Sequence, residues 1–175
     1  MKSRRKNSVL LGLVFAVACI FALQGAALAL DWGKSELDTE KLAVNFYNEV
    51  QKGGYKVVTV PQLKEMLDKE GKAVLVVDTM PFADSYKKQH IPGAINFDFP
   101  IEEVTQLDPK KQAEFEKALG PDKSRPMVFY CGFTKCGRSH NGAMWAMKLG
   151  YTNVYRCPGG IKGWQDADYK TEKAE

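Results

Sequence analysis

The chain has 175 residues, 45% of them hydrophobic and 26% charged, which is ordinary globular composition and excludes a disordered tail protein. Its formal net charge of +4 belongs to the precursor: Lys2, Arg4, Arg5 and Lys6 precede an uncharged stretch from Asn7 to Leu30. A basic start, an apolar run from Val9 to Leu23 and the small-residue triplet Ala27-Leu28-Ala29 predict a secretory signal peptide over residues 1–29, cleaved before Leu30.

Cleavage lowers the Lys plus Arg count from 25 to 21, equal to the 21 Asp plus Glu, and the neutral product has no concentrated positive patch for nucleic acid or an anionic membrane. The predicted location is therefore periplasmic or secreted, with no membrane attachment after cleavage. The rivals are an uncleaved anchor, since about 20 apolar residues can span a bilayer, and lipidation of Cys19, against which Ala16 stands where a Leu is expected. Arg4-Arg5 hints at twin-arginine export, but Asn7 and Ser8 continue it poorly.

In chain order, apolar residues between Lys34 and Gln51 (Leu37, Leu42, Phe46, Val50) recur at helical spacing, so residues 30–55 are an N-terminal helical extension closed by Gly53-Gly54. A short strand follows at Lys56 to Val60, then a helix from Pro61 to about Lys69. The continuous run Ala73 to Asp78 is a buried parallel strand. After it come a short helix around Phe82 to Lys88, a turn at His90-Ile91-Pro92-Gly93 and a strand at Ala94 to Phe97. A helix from about Ile101 to Leu119 is stopped by Gly120-Pro121. Met127 to Tyr130 is a second buried strand, followed by a loop, a helix from Ser139 to Leu149 and a strand at Asn153 to Arg156. A last helix at Ile161 to Asp166 leads to a charged tail, residues 169–175. The alternation predicts a three-layer α/β domain over residues 56–168, a parallel sheet with helices on both faces.

The chemistry concentrates where the second buried strand ends. Beyond the carboxyl ends of parallel strands, loops and helix N-termini converge into a binding crevice, and Cys131 stands there. The loop Gly132, Phe133, Thr134, Lys135, Cys136, Gly137 and Arg138 links strand to helix, so its amides can form an anion cradle. The helix N-terminus, Lys135 and Arg138 are expected to lower the Cys131 pKa and keep a nucleophilic thiolate. A buried, inert Cys is the alternative.

Three motifs in order, His90-Ile91-Pro92-Gly93-Ala94-Ile95-Asn96, then Tyr130-Cys131 leading to Arg138-Ser139, then Gly159-Gly160-Ile161-Lys162-Gly163-Trp164, resemble the rhodanese-like domain family over about Val57 to Asp166. The resemblance implies a sulfurtransferase in which a Cys takes sulfane sulfur from an anionic donor such as thiosulfate and passes the persulfide sulfur to a thiol or cyanide. It implies the nucleophile at Cys131, the loop amides at residues 132–137 and the substrate-binding cation at Arg138, and requires no cofactor. Two departures stand out. The family's basic residue falls five positions after the Cys, whereas Arg138 is seven after Cys131, which widens the pocket. A five-residue spacer in the family marks phosphate- or arsenate-binding relatives; the spacer here is six and fits neither pattern. Asp78 is followed by Thr79-Met80 where the family often has an Arg, so a structural ion pair is lost.

Among other residues, His90 is expected to fix its turn, Trp164 to plug the core and Asp78 to cap or turn the strand end, and His140 to face solvent rather than the pocket. Two His residues and no close Cys/His set argue against a metal site. Cleavage leaves three cysteines, Cys131, Cys136 and Cys157, so at most one internal disulfide can form, with Cys136 and Cys157 as candidate redox partners of Cys131. Two alternatives to the sulfurtransferase remain. One is a cysteine-based phosphate or arsenate enzyme. The other is a non-catalytic thiol redox or sulfur-binding module whose N-terminal helix docks a secreted protein.

Overall fold

The computed structural model describes residues 36–175, so the signal-peptide, anchor and lipidation readings fall outside the described residues. The chain divides into two units, residues 1–44 and 45–175. In the first, residues 36–44 are helical and mostly exposed. The second contains a helical stretch, α1 (residues 45–53), and the sheet domain.

Five parallel strands, β1 (Lys56–Val57), β2 (Leu75–Asp78), β3 (Ile95–Asn96), β4 (Met127–Tyr130) and β5 (Val154–Cys157), lie in the order β1-β5-β4-β2-β3. Side chains alternate across such strands, and the two faces are covered separately. Leu75, Val77, Met127, Phe129 and Val154 share one core with Val50, with Phe115 and Leu119 of α3 (Pro109–Leu119) and with Ala143, Met144 and Ala146 of α4 (Arg138–Lys148). Val76, Val128, Tyr130 and Cys157 share the other with Val60 and Leu63 of α2 (Val60–Glu70) and Ile161 and Trp164 of α5 (Gly160–Asp166). This is the expected three-layer sandwich. The central strands read as continuous apolar runs because both their faces are buried.

Element ends follow local chemistry. Thr59 and Gln62 form a reciprocal capping box at the start of α2, with Pro61 in its first turn. The helix expected from Ile101 begins only at Pro109: the Asp108 carboxylate accepts from the N–H groups of Lys110 and Lys111, and residues 101–108 are irregular. Proline disfavours helical backbone in the residue before it, so Pro109 marks the start of α3 and keeps Asp108 out of the helix. The short helix after β2 is a single wide turn, Phe82–Tyr86. The charged tail folds back, exchanging backbone hydrogen bonds between Glu172 and His90 at 2.9 Å each way.

Candidate functional site

Cys131 follows β4 on the face that carries α4. Its sulfur lies 3.2 Å from Ser139 Oγ and 3.1 Å from the Cys136 carbonyl oxygen, to which its S–H donates. The loop is clamped at both ends. Ile161 and Lys162 N–H groups, at the start of α5, donate to the carbonyls of Cys131 and Gly132 at 2.9 and 3.0 Å. Gly160 makes that approach feasible: its φ is +58°, and a Cβ there would sit 2.2 Å from the Cys131 carbonyl oxygen. Gly137 likewise lies under the Ile101 carbonyl, where a Cβ would meet oxygen at 2.4 Å.

The two loop sulfurs share one environment and differ in charge. Cys136 is brought down to about 6, first by a hydrogen bond from the Cys131 thiol, then by the N–H groups of Arg138 and Gly132 and the Arg138 charge, against its burial. Cys131 is pushed up by burial and by the neighbouring Cys136 sulfur, against the hydroxyl and N–H of Ser139. The amide cradle expected around Cys131 therefore places its strongest support on Cys136. The surroundings therefore favour the thiolate at Cys136 over Cys131. Cys131 is 1% exposed and Cys136 8%.

Beneath the loop lies a group not recognised in the sequence. Arg156 on β5 is wholly buried, yet every part of its guanidinium is engaged. Nε donates to Ser139 Oγ at 3.0 Å and Nη2 to the Cys136 carbonyl at 3.1 Å; Nη1 donates to Tyr55 Oη at 3.1 Å and Glu49 Oε2 at 2.5 Å. Phe46 lies 5.0 Å from its central carbon. The Tyr55 hydroxyl also meets His140 Nδ1 at 2.8 Å. A continuous chain thus runs from Glu49 through Arg156 and Ser139 to Cys131. An Arg within Val154-Tyr155-Arg156-Cys157, on the inward face with Val154, was the available signal, since a buried charge demands a partner.

The remaining site residues divide. Arg138, the expected substrate-binding cation, donates to Asp98 Oδ1 at 3.0 Å and to the Phe99 carbonyl. Phe133 and Lys135 are exposed on the loop rim, Thr134 is partly exposed and Gly132 is buried. Cys157 belongs to the apolar cluster on the other face of the sheet, its thiol pushed up to about 11 by burial against the N–H groups of Gly160 and Gly159. His140 is buried, not solvent-facing, and burial lowers its pKa. His90 does secure its turn: Nδ1 is 3.0 Å from the Tyr86 carbonyl, and its ring stacks on Tyr86 at 4.0 Å. Asp78 Oδ1 accepts from Met80 N–H at 2.8 Å, a turn role as expected, and Trp164 is buried in the core.

A parallel sheet whose central strand delivers a cysteine into a loop before a helix places the chain among α/β domains with a thiol at the carboxyl edge of the sheet. The chain belongs to the rhodanese-like domain family, whose model matches residues 59–167. It is 29% identical over 114 residues to the thiosulfate sulfurtransferase GlpE of Shewanella oneidensis, covering 65% of this chain and 96% of that protein. The fold is shared with the BH2092 protein of Bacillus halodurans, at 24% identity and a TM-score of 0.54 over 73% of this chain and 83% of that one. It is also shared with a thiosulfate sulfurtransferase of Pseudomonas aeruginosa, at 19% identity and 0.57, over 74% of this chain and 23% of that one. Glu49 and Tyr55 lie outside the family-matched residues, whereas Arg156 lies within them.

Proposed function

We propose that this chain is an exported sulfurtransferase in which Cys131 accepts sulfane sulfur from thiosulfate or a similar anionic donor and passes it to a thiophilic acceptor. The observation that carries the reading is the position of the Cys131 sulfur, at the end of the central strand and against the first turn of α4, 3.2 Å from Ser139 Oγ. The GlpE relative, a thiosulfate sulfurtransferase by name, supports the choice of donor.

In the first half-reaction Cys131 yields its proton to the Cys136 sulfur and attacks the outer sulfur of thiosulfate. The bond between the two donor sulfurs breaks, sulfite leaves with that bond's electron pair, and Cys131 holds a persulfide. Although less often ionised than Cys136, Cys131 is the stronger nucleophile once ionised, because thiolate nucleophilicity rises with pKa. The amides at the start of α4 stabilise negative charge that builds at the sulfurs. An acceptor thiol or cyanide then takes the outer sulfur and regenerates Cys131.

Thiosulfate added to the protein should release sulfite and transfer one sulfur atom to the chain. Cys131→Ser should abolish both. Turnover of thiosulfate by that variant at the wild-type rate would overturn the assignment. Export is tested separately by N-terminal sequencing of the protein from the cell envelope, expected to begin at Leu30; an intact Met1 there would refute cleavage.

A further inference from the structure

We propose that Cys136 is a second reacting group, which discharges the Cys131 persulfide within the loop, releasing sulfide and closing a Cys131–Cys136 disulfide when no external acceptor takes the sulfur. The inference rests on the sulfurtransferase reading above and adds a fate for the sulfur.

The two residues are already in contact. Cys131 donates to the carbonyl of Cys136 at 3.1 Å. Both lie at the first turn of α4, Cys131 receiving the Ser139 N–H and Cys136 the N–H groups of Gly132 and Arg138. Both are buried, beneath a rim on which Phe133 is 54% exposed. An external acceptor must reach past that rim, whereas Cys136 is in place. Intramolecular placement of this kind is equivalent to a very high local concentration of acceptor, on the order of 10⁵ M or more when the geometry is productive. Cys136 also holds the proton taken from Cys131 in the first half-reaction, and passing it to the outer persulfide sulfur leaves Cys136 as the thiolate, supported by the N–H groups of Gly132 and Arg138.

Cys157 is not placed to compete. Its register partner is Tyr130, one residue before Cys131, and it sits in the apolar cluster on the opposite face of the sheet from α4. Burial keeps its thiol protonated, at about 11.

The step balances without another reagent. The Cys136 thiol gives the proton it took from Cys131 to the outer persulfide sulfur, its thiolate attacks the Cys131 sulfur of the resulting S–SH group, and a bond forms between the two cysteine sulfurs. The bond from Cys131 to the outer sulfur breaks, and that sulfur leaves with the electron pair as HS⁻. The sulfane sulfur is reduced by two electrons, and the two cysteines are oxidised by two. A dithiol reductant then reopens the bridge by thiol–disulfide exchange, being oxidised to its own disulfide. Under a dithiol the protein would therefore turn thiosulfate into sulfite and sulfide.

The test is a single-turnover experiment on the full chain, reduced, freed of reductant and kept anaerobic. Thiosulfate is added without thiol or cyanide; sulfite and sulfide are both counted, and the protein mass is read. The expected result is one sulfite and one sulfide per chain, a mass lower by two hydrogens, and a cross-linked peptide joining Cys131 to Cys136. Cys136→Ser should take up sulfur more slowly and retain it on Cys131, with sulfite but no sulfide. Wild-type protein that releases sulfite yet keeps the added sulfur, on Cys131 or moved to Cys136, overturns the inference and leaves the sulfurtransferase reading standing. A bridge to Cys157 also overturns it. Absence of sulfite overturns both. The wild-type counts decide even if the variant does not fold.

Discussion

Replacing Glu49 by Gln leaves the Arg156 guanidinium buried without its carboxylate, and the cost can be set from the geometry. Arg156 is fully buried and Glu49 one-fifth exposed, with nitrogen and oxygen 2.5 Å apart. Removing one partner of a buried pair costs about 3–5 kcal/mol, chiefly because an uncompensated charge remains. The partial exposure of Glu49, and the acceptor oxygen that Gln retains, place the expected loss at the low end, about 3 kcal/mol. That is a large share of a domain stability of roughly 5–15 kcal/mol. Urea denaturation of wild type, Glu49→Gln, Arg156→Met and the double variant forms a closed cycle. The second substitution at Glu49 should cost little once the guanidinium is gone, giving a coupling energy of about 3 kcal/mol, at the upper end for residues in direct contact. A Glu49→Gln protein within about 0.5 kcal/mol of wild type, the range of an ordinary surface change, would refute the reasoning and mean that the pair opens to water.

Iodoacetamide alkylation should report a thiol whose reactivity rises as the pH increases through about 6, the value of Cys136. That step should vanish in Cys136→Ser, and an inflection only near the ordinary thiol value of about 8.5 in the wild type would contradict the charge assignment. Ser139→Ala removes the oxygen between Arg156 Nε and the Cys131 sulfur and strands a buried donor, so denaturation should show a loss of about 1–3 kcal/mol; an unchanged midpoint would mean that water replaces the hydroxyl. Gly160→Ala combines a left-handed backbone with a Cβ aimed at the Cys131 carbonyl, and should cost more than the roughly 1–2 kcal/mol of the backbone term alone; a cost below that would show that the turn can shift. Arg138→Ala should raise KM for thiosulfate if the guanidinium leaves Asp98 for the donor, by the equivalent of about 1.5–3 kcal/mol for a charged hydrogen bond; an unchanged KM would fix Arg138 in its role on Asp98.

The layers of the fold were legible because burial on both faces writes strands such as Leu75–Asp78 and Met127–Tyr130 as unbroken apolar runs. Cys131 was legible for a related reason, since a polar-capable residue directly after such a run must lie at the sheet's carboxyl edge. The charge on the loop was not. It depends on which sulfur receives the amides of Gly132 and Arg138, and spacing does not determine the path of an irregular loop. The Arg156 pair was hidden by distance along the chain, its carboxylate being 107 residues earlier on a helix that otherwise reads only as amphipathic. His140 misled for the same reason: its place in the first turn of α4 gives no hint that Tyr55, 85 residues away, covers it.

The carboxylate and the phenol that serve Arg156 come from residues before the family-matched segment, and this changes what counts as the working unit. A fragment trimmed to residues 59–167 would keep the guanidinium and discard both Glu49 and Tyr55, baring a charge directly under the sulfur-bearing loop. The helix ahead of the domain is therefore a piece of the floor beneath the Cys131 loop that lies outside the domain's customary border. Among homologous chains, an Arg at the position of Arg156 and an acid on the helix before β1 should be gained and lost together.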